Sequence, residues 1–338
     1  MSTHRAVVLS KLGAPLTIEH LPTPSPTSGQ LLVAPLISPV IAYQHALHSG
    51  ERGNPLTFPL VPGTSTIGRP GDLVLIDPTL RGRDNPGVTS LQALYRMHPA
   101  LDNTWHNGSW AERFLAPLEN SSRLNEASLL GPKSAGARGY TLGQLGAITQ
   151  LLVPYGGWRA ANLRPGQTVA VAYASGAFGG SAIDVALGLG AGRVIALGRR
   201  NETLLPAIAA LKSPYPGRVV PVVVTGDIKQ DADAIQAATP GSTGLDPDAT
   251  LVLMGGVRDN ISLPYQPIMF KNITIKGRFM YCKEWVDELV AIVEAGSVSL
   301  ERQQVRCFSL DDHAEAVEAA KNDAASGRGV VLTPVVEK

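Results

Sequence analysis

The stretch Val169-Ala170-Val171-Ala172-Tyr173-Ala174-Ser175-Gly176-Ala177-Phe178-Gly179-Gly180-Ser181-Ala182-Ile183-Asp184-Val185-Ala186 decides the fold. A continuous apolar run, the form of a strand covered on both faces, breaks into a turn of small residues, and a helix starts at once. The unpaired N–H groups and positive end of that helix face whatever lies over Gly176 and Gly179, which makes the turn a cradle for a diphosphate. The pattern is Ala-x-Gly-x-x-Gly, with Ala174 where the usual fingerprint opens on glycine. Its flanks supply the context. Arg164-Pro165-Gly166 turns the chain into the strand, and Val194-Ile195-Ala196-Leu197 gives a second strand one helix later. Ser175, Gly176, Phe178, Gly179 and Gly180 are therefore read as the cofactor turn. The end of the second strand selects the dinucleotide: a carboxylate there accepts from a ribose hydroxyl, whereas arginine takes a 2′-phosphate. Gly198-Arg199-Arg200 stands at that place and favours NADP(H); the bland alternative is a solvated turn.

Outward from this unit the pattern continues with apolar runs at Val219 to Val224 and Leu251 to Met254, as in a parallel sheet with helices on both faces. Gly255 and Gly256, at the end of the latter, are assigned to the cofactor as well. Before about Leu130 the chain is different. Ala6 to Leu9, Leu16 to Ile18, Leu31 to Ala34 and Asp72 to Ile76 are β-like runs bounded by glycine and proline. After Lys271 come a strand (Ile273 to Ile275), a helix, a strand (Val305 to Phe308), a helix and a strand (Val330 to Leu332). Trp285, Leu289, Ile292 and Gly296 fall on one face of the first helix, and Ser309 with Asp312 resembles a capping box for the second.

Composition removes several classes of partner. A formal net charge of +1 with no basic run argues against nucleic acid. The apolar runs are far shorter than the ~20 residues of a membrane-spanning helix. No signal-peptide core follows Met1, so a cytoplasmic protein is expected. Two cysteines, Cys282 and Cys307, are too few for a disulfide framework or a four-thiolate zinc.

Taken together, Arg5 to Leu9 with Pro22-x-Pro24-x-Pro26, the strand Gly29 to Val33, Pro59-Leu60-Val61-Pro62-Gly63, Pro70 to Val74, Asn107 to Glu112, Leu163 to Ala182, Asn272 to Gly277 and Gly327 to Leu332 follow one order. In that order the chain resembles the medium-chain dehydrogenase/reductase superfamily over nearly its full length. The resemblance implies an α/β fold of two parts. Residues 1–133 form a GroES-like partial β-barrel, 134–272 a Rossmann NADP-binding domain, and 273–338 a return segment completing the barrel domain. It also implies a homodimer edge near Arg278 to Tyr281.

Where zinc alcohol dehydrogenases place a cysteine, this chain has Ile41, and their Gly-His-Glu is Gly63-Thr64-Ser65. These losses remove the zinc donors from the matched positions. Polarisation of a carbonyl then falls to hydrogen-bond donors, as in the zinc-free quinone and enone reductases of the superfamily. Tyr43, two residues beyond the lost cysteine, is the first catalytic candidate, with Thr64 and Ser65 orienting substrate. Tyr43 reads equally as a packing aromatic. Arg81 and Tyr155 are weighed as substrate contacts, Arg81 against a solvated loop. Two segments are short for the family: Arg69 alone separates Gly68 from Pro70-Gly71-Asp72, and Thr239 to Thr250 leaves no room for one β-α unit of the sheet. The function expected is an NADPH-dependent, zinc-independent reduction of an activated C=C or C=O in a small apolar molecule. The alternative is a redox-silent cyclase, isomerase or binding protein on the same fold.

Overall fold

The computed structural model describes residues 2–85, 87–211, 216–239, 246–256 and 260–335. The chain forms two compact units, Met1–Thr149 with Gln303–Ala324 and Arg328–Lys338, and Gln150–Arg302 with Ala325–Gly327.

The first unit contains β1 (Thr3–Val8), β2 (Thr17–Pro22), β3 (Gln30–Pro39), α1 (Gln44–Ser49), β4 (Thr66–Arg69), β5 (Val74–Ile76), β6 (Thr79–Arg81), β7 (Thr89–Leu91), α2 (Pro99–Trp105), β8 (Phe114–Pro117), β9 (Ser121–Arg123), α3 (Glu126–Leu130) and α4 (Leu142–Leu145). A helix, α5 (Ala147–Ala161), carries the chain into the second unit. There follow β10 (Thr168–Val171), α6 (Ala177–Gly188), β11 (Arg193–Gly198), α7 (Asn201–Ala209), β12 (Val219–Val223), α8 (Ile228–Ala238), β13 (Thr250–Leu253), α9 (Tyr265–Phe270), β14 (Thr274–Gly277) and α10 (Lys283–Ala295). The first unit is completed by β15 (Gln304–Ser309), α11 (His313–Asn322) and β16 (Arg328–Thr333).

β3 is the spine of the first unit. Its start pairs with β8, its middle with β4 and its end with β16, all antiparallel, and a register shift between Pro35 and Ile37 bends it from one partner to the next. The resulting sheet runs β15-β16-β3-β4-β5-β9 with β8 as a branch. Val33, Val74, Ile76, Phe114 and Ala116 fill one part of its core. The clipped segment around Arg69 is a plain hairpin, in which Thr66 faces Ile76 and Gly68 faces Val74.

In the second unit β10, β11 and β12 form one parallel sheet, while β13 and β14 form a separate parallel pair. The interval that reads as short in the sequence, Thr239 to Thr250, includes residues 240–245, which lie outside the described residues. α5 contacts both fragments: Trp158 packs into the core of the three-stranded piece, and Gly157 lies against Met254 at the end of β13.

The units divide the chain otherwise than at 133/134 and 272/273. Residues 273–302 stay in the second unit, because β14 pairs with β13 and α10 follows it. The buried stripe of α10 is Val286, Leu289, Val290 and Val293. It lies one residue off the expected face. α11 begins at His313, with the Ser309 hydroxyl donating to Asp312 at 2.6 Å and no side-chain cap on the helix. No helix among the described residues is long and apolar enough to cross a membrane.

Candidate functional site

The glycine turn follows the end of β10 directly. Tyr173 holds φ +54, and its carbonyl receives the Gly176 N–H at 3.0 Å. A side chain on Gly179 would meet that same carbonyl at 2.1 Å, so only glycine allows helix and strand to approach this closely. Gly176 is the N-cap of α6 and supplies no capping side chain, which leaves first-turn amides of a twelve-residue helix without a side-chain acceptor. A Cβ added to Gly176 would make only ordinary contact, with the Tyr173 carbonyl at 3.5 Å. Phe178 is partly exposed beside it.

The turn is held from behind. Arg302 donates from Nε to both oxygens of Asp184 on α6, at 2.8 and 2.9 Å, and its Nη2 binds the same carboxylate. The pair is almost wholly buried, with side-chain exposures of 7% and 11%. Burial pushes the Asp184 carboxyl upward against the pull of the Arg302 charge. Arg302 also donates to Ser326 Oγ at 3.2 Å, and the Ser326 N–H donates to the carbonyl of Ser175 at 3.1 Å. Ser326 sits so close that a side chain on Gly180 would collide with it. From the other side Gln150 Nε2 donates to the Ala177 carbonyl and to Ser181 Oγ. None of Arg302, Ser326 and Gln150 has a local signal in the sequence; each works through a residue distant along the chain.

At the end of β11, Gly198 packs on Leu204, and Arg199 and Arg200 are both exposed. Neither guanidinium meets a carboxylate or other acceptor among the described residues. Gly255 has φ +89 and lies exposed with Gly256. The residues around α6 thus fit a dinucleotide: first-turn amides without a side-chain acceptor for a diphosphate, and two unpaired cations one strand away.

In the first unit Tyr43 is half-buried at the N-cap of α1. Burial raises its phenol above the usual range, with the charge of Arg52 opposing. The Arg52 guanidinium carbon stands 4.1 Å over the Tyr43 ring. Thr64 and Ser65 are buried after Gly63, whose φ is +97 and whose hydrogen side is filled by Trp110. The Ser65 carbonyl accepts from Ser109 Oγ at 3.0 Å, which stitches the segment into the barrel. Gln44 Nε2 and His48 Nε2 lie 2.8 Å apart, and burial pushes His48 down to about 4.

Two expected substrate contacts are engaged elsewhere. Arg81 pairs with the buried Asp77 at 2.8 Å and donates to the Thr79 carbonyl. That anchors the β5–β6 turn and ties Arg81 into the structure, unlike a residue of a solvated loop. Tyr155 is 1% exposed and donates to Glu288 on α10 at 2.8 Å, so it packs α5 against α10. Among the described residues no three His, Cys, Asp or Glu side chains converge on a metal position. Ile41, Thr64 and Ser65, at the positions matched above, offer neither the thiolate nor the imidazole of a catalytic zinc site.

The chain has the fold of the medium-chain dehydrogenases/reductases. An alcohol dehydrogenase from Thermus sp. ATN1 superposes with a TM-score of 0.75 at 19% identity, over 97% of this chain and 99% of its own. The alcohol dehydrogenase rspB of E. coli CFT073, in complex with NADH, gives 0.76 at 16% identity over 98% and 100%. A protein of Sinorhizobium meliloti 1021 described as a zinc-binding dehydrogenase, with NADP bound, gives 0.69 at 18% over 99% and 100%. No protein-family profile and no curated protein sequence matches the chain.

Proposed function

We propose that the protein is an NADPH-dependent, zinc-independent oxidoreductase that reduces an activated C=C or C=O of a small molecule. The observation that carries this reading is the uncapped α6 N-terminus at Gly176 combined with the unpaired Arg199 and Arg200 one strand later. Amides around Ser175, Gly176, Phe178 and Gly179 would hold the diphosphate, with Gly255 and Gly256 allowing close approach of the ligand. Arg199 and Arg200 would grip the 2′-phosphate. A bound reduced nicotinamide supplies the hydride. Tyr43, a phenol that holds its proton at neutral pH, would donate a hydrogen bond to the substrate oxygen and supply the proton that follows hydride addition. The buried Thr64 and Ser65 would orient the substrate. Dinucleotide-bound relatives of the fold support a nicotinamide cofactor in general.

Titration of the purified protein with NADPH and NADH tests the reading. NADPH should bind at least about tenfold more tightly, and Arg199→Ala with Arg200→Ala should remove that margin, a loss of ~1.4 kcal/mol or more. An NADH preference that survives both substitutions overturns it. The split sheet favours a second reading, in which the fold is redox-silent and isomerises or binds its ligand. Substrate conversion without loss of NADPH absorbance would select that reading. A homodimer is proposed along β14, which is exposed throughout and flanked by exposed Phe270 and Phe279. A sedimenting mass of one chain would reject it.

A further inference from the structure

α1 is short and ends at Gly50, whose φ of +92 reverses the chain. The Arg52 N–H then bonds the Ala46 carbonyl at 3.1 Å, and the Gly53 N–H bonds Gly50 at 2.9 Å. This tight return lays the Arg52 side chain back across the start of the helix, where its guanidinium stacks on Tyr43. Such a contact holds the guanidinium in place over the ring, but an aromatic face neutralises no charge. Arg52 Nε is buried and has no acceptor. No described carboxylate pairs with the remaining nitrogens either. Other arginines of the same unit differ: Arg5, Arg69, Arg81 and Arg96 meet Asp311, Glu126, Asp77 and Asp102. Arg52 is thus a partly desolvated, pre-oriented and uncompensated cation against the ring of the one phenol read above as a proton donor.

We propose that Arg52 is an anion-recognition residue and that the substrate carries a carboxylate a few bonds from its reducible C=C or C=O. The inference rests on the reading of Tyr43 as the proton donor. A carboxylate suits the open end of a guanidinium because two parallel N–H···O bonds form at once, and partial desolvation strengthens them. With the fork's face on Tyr43, an acid seated on Arg52 is delivered beside the phenol. The apolar substrate expected from the sequence gives way to a short unsaturated or keto acid.

The test compares 4-oxopent-2-enoate with its methyl ester in NADPH oxidation by the wild type, Arg52→Met and Arg52→Lys. It adds calorimetric binding of 4-oxopentanoate, which offers no activated C=C, and of methyl 4-oxopentanoate. The acid should exceed the ester at least about tenfold in kcat/KM, chiefly through KM. That ratio, internal to each variant and independent of the folded fraction, should collapse toward one in Arg52→Met and recover in part in Arg52→Lys. 4-Oxopentanoate should bind the wild type at least about tenfold better than its ester. Equal use and equal binding of acid and ester, or a preference surviving Arg52→Met, overturns the proposal. If neither compound oxidises NADPH while 4-oxopentanoate still binds through Arg52, the redox reading falls and the anion site stands. Absence of both turnover and binding removes the site.

Discussion

The two sheets of this molecule are built under opposite constraints. In the first unit β3 spends its length on three partners, and β4, β5 and β16 each have a strand on both sides. In the second unit, among the described residues, β10 and β13 each have one hydrogen-bonded neighbour, because the strands fall into a group of three and a group of two. A ladder bond left unmade must be offset by side-chain packing or by exposure to water. The second unit therefore depends on its helices: α5 lies on both fragments, and the Arg302–Asp184 pair pins α6. The lesson is that the barrel is secured by its backbone and the nucleotide unit by its side chains.

The largest expected effect strikes the side-chain unit. Arg302→Met leaves Asp184 buried without its partner, which should cost about 3–5 kcal/mol in urea unfolding. The double variant Asp184→Leu/Arg302→Met should recover most of it, whereas a loss below 1 kcal/mol in the single variant would show that packing alone holds α6. Acid should instead select the barrel unit. Folded His48, near 4, holds its proton less tightly than the unfolded side chain at 6.5. Its contribution is therefore complete above pH 6.5 and is lost as pH falls toward 4, a change of about 3 kcal/mol. His48→Gln should flatten that pH dependence. Gly156→Ala adds a methyl that would lie 2.7 Å from the Met280 carbonyl, and it should destabilise the second unit by about 1–3 kcal/mol although alanine favours helix. A stabilised protein would mean that α5 does not clamp the β13–β14 fragment. Smallest is Asp227→Ala, which removes the cap that accepts the Gln230 N–H at 2.8 Å on α8 and should cost about 1 kcal/mol.

Strands and the glycine turn were legible because their signals are local: apolar runs, proline and glycine boundaries, and a turn that only small residues can make. The shortness of the interval Thr239 to Thr250 is also plain in the sequence, but residues 240–245 lie outside the described residues. The face of α10 was not. Trp285 lies near the guanidinium groups of Arg278 and Arg159, at 4.5 and 5.8 Å, which keeps its ring toward the surface and turns Val286 and Val290 inward. Apolar residues on two adjacent faces let periodicity fit either. Among site residues, the free Arg199 and Arg200 lay where strand logic put them, while Arg81 and Tyr155 were placed by chain position and turned out to serve Asp77 and Glu288. The partners of such groups lie too far along the chain for spacing to reveal them.

The carbonyl of Ser175 waits for an amide from Ser326, and Asp184 waits for Arg302. During synthesis the glycine turn is thus left unfinished while more than a hundred further residues are made, so if it holds a coenzyme as proposed, a nascent chain should gain that affinity late and abruptly. Long-range closure of this kind makes the coenzyme a reporter of complete translation.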